Sequence, residues 1–415
     1  MTIPGISVVQ RSQATIRATA RSIDRACFIG FATPVDAVNL NALVPVSDLF
    51  DFSAKFTGAS DTLIASIRVF FRNYPEGRLY FWAALSPDAA ITIPTDYRHI
   101  LYAYQQLSKR GDLSLHILAI PDSILYTVQA ERTAVFSGAD ALSTKLRWLH
   151  FSNTSSATDT KEEALAERDL YASPFGFSSL YYGLGVDLES KRVPVAAIAT
   201  AVALQRFRDS PFSPPAGARY PIQGITDIVG YVDFVADYEE LQGRGINVIQ
   251  KIPLYGYCLW GANTLSTNEQ FININSRLAM SVVSREIEYA LIPMLFESSD
   301  PQGFTRREVL RIVVAILEDA YVNGALSGDI STDSYRVIES EVVQQDEAGA
   351  TQQTTTGNTT GNTSGTVTAG STNPIETIVN LRRIRTKVYA RFVETLQMIE
   401  VQLFNVDSIP TGESS

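Results

Sequence analysis

The sequence predicts a mixed α/β protein of two domains, with an extended strand arm at each end. Three observations predict it. At 415 residues the chain exceeds the ~250 residues at which a single core usually stops growing. Between residues 22 and 120, short continuously apolar runs alternate with stretches whose apolar residues recur every three or four positions. That alternation describes a mostly parallel sheet with helices on its faces. Both ends of the chain alternate in polarity, the first with few bulky apolar side chains, as strands do when they need a partner sheet.

The N-terminal arm, 1–21, turns at Pro4-Gly5 and then alternates through Ile6 and Val8. A middle α/β domain, 22–210, follows. The run Ala26-Cys27-Phe28-Ile29-Gly30-Phe31 predicts a fully buried strand, and Leu63, Ile67 and Phe70 predict a helix over 61–71. Strands are expected at 78–83 and 113–120, with a helix over 96–109 between them that ends in Lys109-Arg110 before Gly111. From 121 to 187 the signals weaken: a strand at 147–151, a polar helix or loop at 161–169 and a strand at 180–184. An Ala-rich apolar helix is expected at 193–206. The prolines and glycine of 210–217 break helices, so the domain crossing is placed there.

The C-terminal domain, 211–392, centres on 245–278. A short apolar strand precedes a second strand carrying Tyr255, Tyr257 and Trp260, a Gly261-Ala262-Asn263 turn, and a helix starting near Ile274. Ile249, Tyr257, Trp260 and Leu265 are its expected core, and the three aromatic residues read as packing more than as a ligand platform. Met280, Val283, Ile287 and Leu291 form one helical stripe. Leu310, Val313, Leu317 and Tyr321 form another, with Thr305 and Glu308 as its capping box and Gly324 to close it. Both helices should pack on the sheet holding Ile249 and Trp260. A strand at 335–343 leads to an insertion at about 344–374 of Gln, Thr, Gly, Asn and Ser, too poor in apolar surface to offset the entropy of ordering it. Residues 383–392 form a strand with Arg383, Arg385, Lys387 and Arg391 on one side, and the C-terminal arm, 393–415, carries Val401 and Leu403.

Composition narrows the function. Hydrophobic residues at 45% and charged ones at 19% fit a globular protein, and a net charge of -10 argues against nucleic acid as the partner. The longest nearly uncharged apolar run, 193–204, is short of the ~18 residues a bilayer span needs. Residues 1–13 lack a basic stretch followed by an apolar core, so neither a secretory signal nor direct membrane insertion is expected. Cys27 and Cys258 lie in apolar runs and read as buried thiols.

No chemistry is visible. His99, His116 and His150 lack metal-ligand spacing, there is no nucleophile elbow or phosphate loop, and Gly243-Arg244-Gly245 is too short for a dinucleotide fingerprint. No catalytic residue, metal or cofactor is expected. Adjacent carboxylates such as Glu162-Glu163 and Glu239-Glu240 point ~100° apart on a helix and do not converge on one substrate. The charge features are the basic face at 383–391 and the helix-start cluster Arg306, Arg307 and Arg311. Each reads either as a solvated face or as a contact with an acidic neighbour.

Several words in order carry a resemblance: Ile3-Pro4-Gly5-Ile6-Ser7-Val8, the strand at 26–31, Pro215-Ala216-Gly217 with Gln223-Gly224-Ile225, and Gly245-Ile246-Asn247. Then come Trp260-Gly261-Ala262-Asn263-Thr264-Leu265, the run at 274–278, Phe296-Glu297 and Gly324-Ala325-Leu326-Ser327-Gly328. Together they resemble the contractile tail sheath family of phages and related injection machines. The resemblance implies a two-domain sheath subunit, stacked as six-fold rings around an inner tube and contracting to drive that tube through an envelope. It implies arms, with Ile6, Val8, Val401 and Leu403, that add strands to neighbouring subunits. Its implied partners are further copies of itself, the tube protein, and baseplate and tail-terminator proteins. Its implied location is a virion tail or a cytoplasmically assembled injection machine. A non-contractile shell protein and a nucleotide-binding α/β enzyme remain as alternatives. The second would need a phosphate loop after the first strand, where Ala32-Thr33-Pro34-Val35 lacks the glycines.

Overall fold

The computed structural model describes residues 23–88, 91, 93, 95–110, 115–230, 237–294, 304–345, 351–352 and 382–390. Strand β1 (Arg25–Gly30) is followed by a two-residue ribbon of β2 (Thr33–Pro34) and β4 (Phe56–Thr57), which brackets β3 (Val44–Val46) and α1 (Leu49–Lys55). Then come α2 (Asp61–Asn73), β5 (Arg78–Ala83), α3 (Tyr97–Leu107), β6 (Ile117–Ala119), α4 (Gln129–Leu146), β7 (Leu149–Asn153), α5 (Lys161–Arg168) and β8 (Ser178–Tyr181). Strands β9 (Leu184–Asp187), β10 (Arg192–Pro194) and β11 (Ile225–Val229) form a small antiparallel sheet with β9 in the middle, and α6 (Val195–Asp209) follows β10. The chain continues through α7 (Tyr238–Gly243), β12 (Ile246–Ile252), β13 (Gly256–Trp260), α8 (Ile274–Leu291), α9 (Phe304–Val322) and α10 (Ser331–Ser334). It ends, among the described residues, in β14 (Tyr335–Gln345), β15 (Thr351–Gln352) and β16 (Arg382–Ala390).

The main sheet has eight strands in the order β13-β12-β8-β7-β6-β1-β5-β3. Its six inner strands are parallel, and the two edge strands are antiparallel to their neighbours. The strand at 78–83 falls where the sequence places it, and the Ala-rich helix runs over 195–209, because Val193 and Pro194 pair in β10. The strand expected at 147–151 begins two residues later, because Arg147, at φ +56°, closes a helix that the sequence did not announce. The expected strand at 180–184 divides at Gly183, where the chain leaves the main sheet for the small one.

Helices cover both faces. Alternate residues such as Phe28, Phe81, Phe151 and Ile249 meet α2, α6, α8 and α9 in one core; Cys27, Ile29, Trp82 and Leu118 meet α3 and α4 in another. From Val195 to Leu204 α6 is apolar on every side but for Thr200, and eleven of the helix's residues are buried, as enclosure of that stretch requires. A third cluster lies under α5 and α7, with Leu180, Ile246, Val248 and Leu265.

The residues on either side of the expected crossing at 210–217 share this one sheet, since β12 pairs with β8. The Pro- and Gly-containing segment is pinned along the outer edge of β13: Gly217 N–H donates to Leu259 O, and Ile222 N–H to Tyr257 O. The buried face of α8 is Ile274, Leu278, Ala279, Val282 and Val283; of the expected stripe Val283 is buried, Ile287 and Leu291 pack half-buried against the same core, and Met280 is half-buried. In α9, Glu308 accepts from Arg311 at 2.5 Å, and the residues before Phe304 that would show the expected cap lie outside the described ones. Gly324, at φ +76°, ends that helix as expected.

Candidate assembly surfaces

The place where a doubly wound sheet usually binds ligand is closed. From β1 the chain crosses to β5 on one side and then to β6 on the other, so the crevice outside the carboxyl ends of β1 and β6 is the topological switch point. Asp122, just past β6, fills it. Its fully buried carboxylate accepts hydrogen bonds from Phe31 N–H (2.8 Å) and from the hydroxyl of Ser60 (2.5 Å), the N-cap of α2. Burial raises its pKa to about 6 against these two donors. An internal carboxylate thus occupies the anion position at a helix N-terminus. The loop after Phe31, where a phosphate loop would sit, is spent on the β2–β4 ribbon.

The motif Gly245-Ile246-Asn247 with Gly261-Ala262-Asn263 is a hydrogen-bonded clasp. Asn247 Nδ2 donates to Leu180 O and Asn263 O, and its Oδ1 accepts from Asn263 N–H at 2.8 Å. A Cβ on Gly261, at φ +104°, would lie 2.7 Å from that Oδ1, and one on Gly245, at φ +76°, would lie 2.6 Å from Thr264 O. Both positions therefore demand glycine. The clasp joins β8 and β12 to the turn that launches α8.

The expected core residues divide between the two sheet faces. Ile249 is buried and Tyr257 half-buried against α8 and α9, whereas Trp260 and Leu265 belong to the opposite cluster, with Tyr238 set edge-on 6.4 Å from Trp260. Trp260 pairs across the ladder with Val248, and Ile249 with Leu259, so strand alternation separates them. The α8 and α9 helices consequently pack on Ile249 and not on Trp260. Tyr255 leaves the aromatic group altogether: it lies in the β12–β13 turn, more than half exposed.

The basic candidates lie on two elements. Arg306, Arg307 and Arg311 are on the first turns of α9, with Arg307 and Arg311 exposed and Arg311 bound to Glu308. Arg383, Arg385 and Lys387 occupy alternate positions of β16, opposite in parity to Ala390, which packs on the α8–α9 core with Tyr335 and Val337. Arg391, Ile6, Val8, Val401 and Leu403 lie outside the described residues.

β14 and β16 pair antiparallel from Tyr335↔Ala390 to Gln344↔Arg382, with a bulge between Ile338 and Glu341. The pair is docked on α9, where the Tyr335 hydroxyl donates to Glu318 at 2.7 Å. Among the described residues, one outer edge carries only the two-residue β15 and the other carries no strand. A strand edge without a neighbour in its own sheet is a template for strand addition.

Two features were missed in the sequence. One is Leu254, fully exposed at the tip of the β12–β13 hairpin, where Ile252-Pro253-Leu254-Tyr255 reads as apolar strand. The other is an apolar cavity of about 240 Å³ between α6, α8 and α9, whose lining comes from segments far apart in the chain. Among the described residues no His, Cys, Asp and Glu group is arranged to hold a metal ion, and no helix is long and apolar enough to cross a membrane.

No protein-family model matches the sequence, and no curated protein does. Solved structures match over nearly the whole chain. A chain in the six-fold symmetrised baseplate of the anti-feeding prophage aligns at TM-score 0.68 and 18% identity, covering 98% of this chain and 99% of that one. A chain of the contracted helical sheath of the same particle gives TM-score 0.68 and 18% identity, with 97% and 99% covered. The contracted PVC sheath complex of an extracellular contractile injection system gives 0.64 and 17%, with 98% of each chain covered. This chain has the fold of the contractile tail sheath proteins.

Proposed function

We propose that this protein is the subunit of a contractile sheath, assembling with copies of itself into stacked six-fold rings around an inner tube and contracting to drive that tube through a target envelope. The observation that carries the reading is the match across almost the full length of both chains to the contracted anti-feeding prophage sheath. Among the described residues the β14–β16 pair has one edge with no further strand and one with only the two-residue β15, which supports strand addition by the arms at 1–21 and 393–415 of neighbouring subunits. The closed switch point at Asp122 supports a non-catalytic subunit. Contraction then draws on the difference between two packings of rigid subunits and needs no nucleotide. The tube, baseplate and terminator proteins are its further partners, and the machine is a virion tail or an injection particle.

Electron microscopy of the purified protein tests this. Striated tubes with cog-wheel end views are expected, while smooth closed shells or dispersed particles would overturn the reading. Deleting residues 1–20 is expected to abolish tubes and leave a monomer with an unchanged thermal transition; tubes from the truncated protein would remove the arms from the account.

A further inference from the structure

Arg277 is a cation that its own subunit leaves uncompensated. It stands on the first turn of α8, within the run at 274–278, and helical side chains lean back towards the N-terminus of their helix. Its guanidinium carbon lies 3.8 Å from the centre of the Phe177 ring and 5.1 Å from that of Phe271. Nε is buried without an acceptor, and among the described residues no carboxylate stands within ion-pair distance of the group. Burial, and then the charge of nearby Arg147, bring its pKa down to about 10. Arginines this enclosed are nearly always paired. The aromatic rings offset part of the lost hydration, but they leave the charge in place, and the positive end of α8 adds to it.

The second arginine is kept there at a conformational cost. Arg147 closes α4 at φ +56° and ψ +42°, in the left-handed region where Gly or Asn is the usual residue. Glycine would relieve the strain but would remove the charge. The partner of Arg147 is Glu288, at 2.6 Å, and that carboxylate is 59% exposed. An exposed pair of this kind contributes little and does not neutralise Arg277. Two independent features thus meet at one place: a largely buried cation without an acid, and a strained backbone that sets a like charge beside it. Such strain clusters where a ligand is held.

We propose that Arg277 and Arg147 bind an oxyanion, a carboxylate or a phosphate, supplied from outside the subunit. Guanidinium groups meet such anions through N–H bonds in their own plane. Stacking on Phe177 fixes that plane for Arg277, and with Nε sealed its half-buried side chain binds through the Nη end. Two sources offer this chemistry. One is phosphate in solution; the other is a carboxylate on a second copy of the chain, which has 44 Asp and Glu against 34 Lys and Arg. Only the second source rests on the self-assembly reading above.

Calorimetric titration of the full-length subunit with inorganic phosphate, below its assembly concentration and at constant ionic strength, tests the site. Wild type is expected to bind, with affinity at least tenfold lower in Arg277→Gln and at least fivefold lower in Arg147→Gly. The second variant relieves backbone strain, so it should melt at or above the wild-type temperature, and its lost binding is then not a loss of fold. Equal affinity in all three proteins would mean an adventitious ion only and would overturn the site. So would an absence of phosphate binding together with unchanged assembly of both variants. Tube formation separates the two sources. If a second copy supplies the carboxylate, phosphate raises the assembly threshold of wild type, and both variants need at least tenfold more protein to form tubes. If phosphate itself is the ligand, the variants assemble at the wild-type threshold. Wild type that binds phosphate and forms no tubes would overturn the self-assembly reading and leave the site standing.

Discussion

Asp122 links one residue to the pH behaviour of the whole subunit. Its pKa is raised from 3.8 to about 6 by burial, so the folded state holds the proton more tightly than the unfolded state does. Stability from this group is therefore present below about pH 4 and is lost as pH rises through 6, by ~2–3 kcal/mol in all. His150 works the other way. It is buried and neutral with its pKa lowered to about 3, and its Nδ1–H donates to Ser178 Oγ, which itself donates to Asp140. Its contribution is complete above pH 6.5 and falls as the unfolded-state imidazole protonates below that. Over pH 4 to 6 the two slopes oppose each other, so the wild-type profile alone hides both. The difference between wild type and Asp122→Asn isolates the carboxylate: the amide keeps an acceptor for Phe31 N–H and does not ionise. The variant should gain about 2 kcal/mol relative to wild type between pH 4.5 and pH 7.5 in denaturant titrations. A difference that stays constant with pH would show that Asp122 titrates normally.

At the scale of elements, α4 shows why part of the fold could not be read from the sequence. Its buried stripe, Val135, Phe136, Ala139 and Leu142, is interrupted by Gly138, and its polar ends dilute the pattern. The glycine makes sense only beside its neighbour: a Cβ there would lie 2.7 Å from the ring of Tyr104, whose hydroxyl donates to Val135 O. Alanine would gain ~1 kcal/mol of helix propensity but would overpack a closed interface at a cost of ~1–3 kcal/mol. Gly138→Ala is therefore expected to lower the melting temperature by a few degrees; an increase would show that α3 and α4 can move apart freely. The parallel alternation, α6 and the Gly261–Asn263 turn were legible because local pattern and tertiary role coincide there. The continuity of the sheet past residue 211 was not. Prolines and glycine in 210–217 look like a linker, and only the bonds of Gly217 and Ile222 to β13 reveal a segment tied to a sheet edge. Asp122 and Leu254 escaped for a related reason, since burial of a charge and exposure of a leucine are properties of the folded surface and leave no periodicity. The arms expected at 1–21 and 393–415 lie outside the described residues.

At the scale of the molecule, the eight-stranded sheet constrains what the proposed contraction can deform. Six parallel strands buried on both faces form one block from β5 to β12, and the clasp at Asn247 ties its far end to α8. Packed interiors of this kind shift between discrete arrangements and do not bend continuously. A sheath built from the subunit should change length by moving whole blocks while the strands within each stay paired. Hydrogen exchange on tubes prepared in the extended and contracted states reads this out. Amides of β1, β6, β7 and β8 are expected to keep equal protection in the two states, because their opening requires global unfolding of the subunit. Changes should gather at the β12–β13 turn, the outer edges of β14 and β16, and the two terminal arms. A large loss of protection within β6–β8 on contraction would place the stored energy inside the fold and remove rigid-body motion as the mechanism.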